Sequence, residues 1–198
     1  LLSNWAIRSR MWADCIARYL PLSNPIFIYI PLFLCLNQYE ISIPFFAAAC
    51  NGVGALSWPE EALRANIIAQ VSLALNRIWT EWYPSRGYSF NITGSPGYDQ
   101  AYVNGRTVFA VMERLTAELF NTFVQRSGDA EPYFTEYCDG KTVTCPGMKQ
   151  WGTVDRAREG LYALQILRYY YGNRVQLVTT NNIAAIPSSY PGSPLRRG

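Results

Sequence analysis

Apolar residues recur at Leu63, Ile67, Val71, Leu75, Ile78 and Trp82, the spacing of one face of an α-helix. The pattern predicts a helix from Ser57 to about Trp82 that forms the buried centre of a domain. Ser57 and Glu60 have the spacing of a capping box, and Pro59 falls in the first turn, where its missing N–H costs no helical bond. Pro84 ends the run.

Weaker patterns flank this helix. Residues 5–20 place Trp5, Trp12, Ile16, Tyr19 and Leu20 against Arg8, Arg10 and Arg18, which predicts an amphipathic helix ended by Pro21. Residues 25–44 carry two apolar runs split by Asn37-Gln38-Tyr39-Glu40 and read as β-structure. Turns and short strands are expected around Pro96-Gly97, over residues 88–103. Thr107 can cap a second helix over 108–125, stopped by Ser127-Gly128-Asp129. Residues 132–144 form a candidate hairpin, and 154–171 one or two helices interrupted near Gly160. From 179 onward Thr, Asn, Ser, Pro and Gly dominate, the composition of a linker. The expected fold class is α+β: one compact domain with a mixed, curved sheet packed on the central helix, plus a Pro/Ser/Gly-rich tail.

Composition narrows the chemistry. The 198 residues are 49% hydrophobic, 15% aromatic and only 16% charged, which suits a carbohydrate-facing extracellular surface. The net charge of +3 comes with no Lys/Arg run, so no nucleic-acid partner is expected. There is no histidine, which removes the commonest general base, the usual nucleophilic triads and most zinc sites. Neither a metal nor a cofactor is expected. Residues 26–36 are apolar but too few to span a bilayer and are broken by Pro31. No signal peptide is read in this stretch, and without an initiator Met the chain reads as a mature or trimmed product. Cys138 and Cys145 bracket the turn Asp139-Gly140-Lys141-Thr142; a disulfide there and two free thiols are both open. Cys15, Cys35 and Cys50 read as small buried apolar residues.

Acid–base chemistry is left to carboxylates. Glu60 and Glu61 open the central helix, where they favour its positive end; as catalysts they would need an aromatic cleft and a raised pKa. Asp99, Gln100 and Tyr102 put a carboxylate, an amide and a phenol on one Gly/Pro-rich loop. Gln150 and Trp151, between Gly147 and Gly152, set an amide beside an indole, a pairing that suits stacking and hydroxyl recognition of a sugar. Asp139 reads as a turn residue.

Trp58-Pro59-Glu60-Glu61-Ala62-Leu63-Arg64-Ala65-Asn66-Ile67 resembles the "W-P-x-E-A-L-K-A-Q-A" helix of the stage-II-sporulation-D and amidase-enhancer family of bacterial cell-wall proteins. Tyr98-Asp99-Gln100-Ala101-Tyr102 resembles that family's "T-x-x-x-Q-x-Y" loop. Residues 132–137 with Asp139-Gly140-Lys141-Thr142 are similar to its "P-I-x-A-x-Y … G-G-x-T" strand pair. Gly147-Met148-Lys149-Gln150-Trp151-Gly152 and Ile166-Leu167-Arg168-Tyr169-Tyr170-Tyr171-Gly172 are similar to its "G-M-S-Q-Y-G-A" and "I-L-x-Y-Y-Y-G". The resemblance covers about 52–178 and divides the chain into 1–45, a family-like domain at 46–178 and a linker at 179–198. It implies a domain holding peptidoglycan glycan strands in a cleft; some members are lytic transglycosylases, others stimulate an amidase.

In the catalytic members a Glu just before the Trp-Pro helix is the acid/base. Here Val53 stands at that position, or Gly52 after a one-residue shift, and 50–57 contain no carboxylate. The family's "A-R-T" is replaced by Gln70-Val71-Ser72. Residues 193–198 are similar to the opening of a small helical peptidoglycan-binding domain, which implies a longer natural protein. The resulting expectation is an extracytoplasmic, non-transmembrane protein of the cell wall or secreted fraction. It binds glycan through Gln100, Tyr102, Gln150 and Trp151, with Glu60, Glu61 or Asp99 acting as acid if the chain is a transglycosylase. The alternative is a non-catalytic scaffold or enhancer docking a cell-wall hydrolase such as an amidase.

Overall fold

The computed structural model describes residues 57–101 and 108–180, all within the unit Ile43–Gly198. The expectations for 1–45, Cys15, Cys35, Cys50, Tyr102, the Thr107 cap and 181–198 lie outside these residues. The class is α+β: helix α1 (Glu60–Trp79), a short 3₁₀ turn at Pro84–Arg86, α2 (Ala110–Leu119), β1 (Thr122–Arg126), β2 (Tyr137–Cys138), β3 (Met148–Lys149), α3 (Gln150–Arg158), α4 (Ala163–Tyr171) and β4 (Val175–Thr179). No helix among the described residues is long and apolar enough to cross a membrane.

Helix α1 is the centre, and it is buried more completely than its apolar stripe predicts. Sixteen of its twenty residues are buried, including Ala62, Ala65, Ala69 and Ala74 between the larger side chains. Small residues let neighbours approach closely on every side, and α2, α3, α4 and β1 all pack against it. Two positions of the expected stripe lie outside this core: Ile78 is half-buried and Trp82 is exposed. The helix stops at Trp79, and the chain turns through Thr80 and Glu81, whose φ is 46°. Pro84 opens the following 3₁₀ turn rather than ending the helix directly.

The expected capping box does not form. Pro59 is the N-cap and no side chain caps the helix; the N–H groups of Ala62 and Leu63 bond to the Pro59 carbonyl. The Glu60 carboxylate is drawn instead to Arg64 (2.9 Å) and Arg114 (2.9 Å), where two full charges compete better than one backbone amide.

Buried polar groups on α1 fasten the surrounding loops. The Ser72 hydroxyl accepts the Val124 N–H of β1 at 2.8 Å. Asn76 donates to the Pro132 carbonyl at 2.9 Å, Asn66 to the Thr153 hydroxyl at 2.8 Å, and the Thr135 hydroxyl to the Ala69 carbonyl at 2.6 Å. Each bond satisfies a group that has left water, where an unpaired partner is costly.

Among the described residues the strands form two separate pairs rather than one mixed sheet. β1 runs antiparallel to β4, with Val124 opposite Leu177, and β2 pairs in parallel with β3. The helix expected over 108–125 therefore ends at Leu119. Thr122, Phe123 and Val124 suit a strand with one buried edge, and β4 supplies the partner. Likewise 132–144 is not a hairpin, because Tyr137 and Cys138 pair with Met148 and Lys149. The break near Gly160 holds: Gly160, at φ 90°, separates α3 from α4.

Replacing Ser72 with Ala leaves the Val124 N–H buried without an acceptor, so Ser72→Ala should lower the unfolding free energy by about 1–3 kcal/mol. Denaturant titration measures this; an unchanged midpoint contradicts the account.

Candidate functional site

The Gly147–Gly152 motif is held by two close approaches. A Cβ at Gly147 would overlap the Glu136 backbone carbonyl, and one at Gly152 would overlap the Tyr170 hydroxyl. The first glycine allows Met148 to donate its N–H to Glu136 at 3.0 Å, which seats β3 beside β2. The second lets the Tyr170 ring cross the start of α3. Met148 is fully buried between them.

Beside this motif runs a loop stapled at its base. Cys138 and Cys145 are joined by a disulfide, with Cα atoms 6.0 Å apart. Between them the Asp139 carboxylate accepts the N–H groups of Lys141, Thr142 and Val143 at 2.9–3.1 Å and the Thr142 hydroxyl. The Thr142 hydroxyl, then the backbone amides, hold the Asp139 carboxyl well below its ordinary pKa. Asp139 is thus the turn residue expected. Its carbonyl also accepts the Trp151 N–H at 3.1 Å, joining the loop to the first turn of α3.

Loop, α3 and the end of α4 enclose an open cleft of about 600 Å³ whose walls include Lys141, Lys149, Trp151, Asp155, Tyr169 and Tyr170. Trp151 is 36% exposed and is braced from behind by buried Trp58, ring centroids 4.9 Å apart and edge-on. The Trp-Pro and Gln-Trp motifs, distant in sequence, therefore meet here. Tyr169 and Tyr170 stand edge-to-face at 4.9 Å. Burial, and next the neighbouring Tyr169, push the Tyr170 phenol above its ordinary pKa, so it remains a hydroxyl donor at neutral pH. Lys149 is tied down, its ammonium donating to the Cys145 and Gly147 carbonyls at 2.6 and 3.0 Å.

The other predicted site residues lie elsewhere. Glu60 is exposed on the α1–α2 surface, and hydrogen bonds from Arg64, then Arg114, hold its carboxyl below its ordinary pKa, the reverse of what a proton donor needs. Glu61 accepts the Ala163 N–H at 2.7 Å and so satisfies the first turn of α4. Asp99 is buried and fully engaged: Arg77 Nε at 2.8 Å, the Tyr83 hydroxyl at 2.6 Å, and the Thr93 N–H and hydroxyl at 2.9 and 3.0 Å. Arg77 itself lies over the Trp82 and Phe134 rings. The loop of 88–101 thus contains turns without strands, gathered around one carboxylate. Gln100 is buried and gives its amide N–H to the Gln70 carbonyl at 2.9 Å; Gln150 is buried at the start of α3. Neither lines the cleft.

Of the residues predicted to touch sugar, Trp151 alone among the described residues lines the cleft. The sequence gives no sign of Asp155 as a site residue, and Lys141, Lys149, Tyr169 and Tyr170 appear in it only inside a turn, a helix or a family motif. The turn at 139–142, bracketed by cysteines next to the Gln-Trp pair, was the signal that could have found Lys141. No family model, characterised protein or solved structure matches the chain.

Because Asp99 neutralises a buried guanidinium, Asp99→Asn should cost about 3–5 kcal/mol of stability, read by denaturant unfolding. A variant as stable as wild type would return Asp99 to the list of functional carboxylates.

Proposed function

We propose that this protein binds the glycan strands of bacterial peptidoglycan in the Trp151–Tyr170 cleft, as an extracytoplasmic cell-wall protein of sporulation-D-like type, and that it holds the strand without cutting it. The observation that carries this reading is the cleft wall: a braced, part-exposed indole, two tyrosines and an aspartate around one open space. A pyranose ring stacks its C–H face on an indole, and its hydroxyls pair with a carboxylate and a phenol. The motifs resembling the sporulation-D family support the same ligand, and the Cys138–Cys145 disulfide fits an oxidising compartment.

Holding without cutting is favoured by the fate of the candidate acids. Glu60, Glu61 and Asp99 are each engaged in structural bonds away from the cleft. Asp155 is the carboxylate in the cleft wall, and it stands exposed to solvent rather than enclosed in the apolar pocket that a general acid uses.

The test is retention on purified cell wall together with titration by peptide-stripped glycan fragments. Trp151→Ala should weaken binding about tenfold or more, the equivalent of ~1.4 kcal/mol, while leaving the unfolding midpoint close to that of wild type. Mass spectrometry of the incubated glycan should find no anhydro-sugar ends. No retention by wild type, or none of it lost in Trp151→Ala, sinks the glycan cleft; anhydro products that vanish in Asp155→Asn overturn the non-cutting reading.

A further inference from the structure

Lys141 differs from the other charged groups of the cleft. Its ammonium nitrogen lies over the Trp151 ring, 3.2 Å from the centroid, and no ion pair to a carboxylate engages it among the described residues. Lys149 is fixed by two carbonyls, and Arg156 pairs with Glu159 at 2.7 Å. The Lys141 side chain is exposed, yet its backbone is fixed three times over: by the Asp139 carboxylate, by the Gly140 N–H bonding to the Val143 carbonyl at 3.1 Å, and by the disulfide. On so fixed a backbone, what is left to move is the flexible four-carbon stem with its ammonium.

The ring that a sugar would stack on is therefore already covered. An ammonium and a pyranose cannot share one aromatic face, so a sugar that stacks on the face under Lys141 must move it aside. We propose that Lys141 is a latch that makes this cleft selective for saccharides carrying a carboxylate beside the stacking ring. The inference rests on the cleft being a glycan site and names the chemical class that site accepts.

The physical asymmetry is direct. A neutral sugar that displaces the ammonium forfeits the cation–π contact, a factor of about two to five at an exposed site. A sugar with a carboxylate offers the displaced ammonium a charge-assisted hydrogen bond in exchange. The cleft wall supports the anion as well, with two lysines against one aspartate. In a glycan strand stripped of its peptides, the lactyl carboxylates of the muramic residues are such groups, while the neighbouring glucosamine residues carry none.

Two glycan probes and one variant test this. Calorimetry compares peptide-stripped fragments bearing free lactyl carboxylates with the same fragments after the carboxylates are reduced to alcohols. Wild type should bind the carboxylate form tighter by about fivefold or more. Lys141→Met should erase the preference, gaining affinity for the reduced form and losing it for the anionic one. In the free protein the Lys141 ε-methylene protons should resonate upfield, shielded by the indole, and return toward ordinary values when the carboxylate fragment binds. Equal binding of both forms by wild type, a preference that survives Lys141→Met, or unshielded methylene protons in the free protein would each overturn the latch. Binding of neither form by wild type overturns the glycan reading and the latch with it, so the two failures are distinguishable.

Discussion

Among the described residues, α2, α3, α4 and β1 are arranged around a helix that has almost no solvent face. Burying α1 on nearly all sides removes Asn66, Ser72, Asn76 and Arg77 from water along with the apolar residues. A buried polar group without a partner costs more than the bond it would make is worth, so the neighbours are selected by what they offer these side chains. Ser72 fixes β1, Asn76 fixes the chain at Pro132, Asn66 reaches Thr153 of α3, and Arg77 gathers the 88–101 loop through Asp99. The elements are short and the sheets two-stranded, and such small pairs hold their place by packing on helices rather than by their own ladders alone: β1 on α1, β3 on α3 and α4, and β4 on α4.

The cleft inherits its rigidity from this arrangement. Trp58, just before the Pro59 N-cap of α1, braces Trp151, while Thr153, two residues on from Trp151, is hydrogen-bonded to Asn66. The opposite wall is fixed by a different means, a disulfide and one aspartate that accepts three successive amides. Two walls fixed independently leave the ligand little to order on binding, which favours affinity. The mobile group between them is the Lys141 side chain.

What was legible in the sequence was local. The apolar period of α1 and the glycine break at Gly160 depend on residues close along the chain, and both appear. The expected helix overran α2 because apolar residues continue through Phe120, Phe123 and Val124 with no Pro or Gly before Gly128, and only the pairing of β1 with Val175–Thr179 makes Thr122–Arg126 a strand. Asp99 and Gln100 looked like binding residues because they are polar on a Gly/Pro-rich loop. Arg77 and Gln70, which bury them, lie on α1, and nothing in the loop announces those partners. Glu60 had the right spacing for a cap but two arginines in reach. At the cleft the Gln-Trp motif divides: the Gln150 amide is buried and the Trp151 indole faces outward, beneath a lysine from the disulfide loop.

The central claim is that ligand chemistry belongs to the Trp151 cleft and that the buried Asp99 cluster is structural. Mapping amide and indole shifts by NMR while peptide-stripped glycan is added tests it most directly. The account predicts that the Trp151 indole and the residues around Lys141, Asp155 and Tyr170 move, while Thr93, Asp99 and Gln100 stay in place. Shifts concentrated at Asp99 and Gln100 with an unmoved Trp151 indole would contradict it.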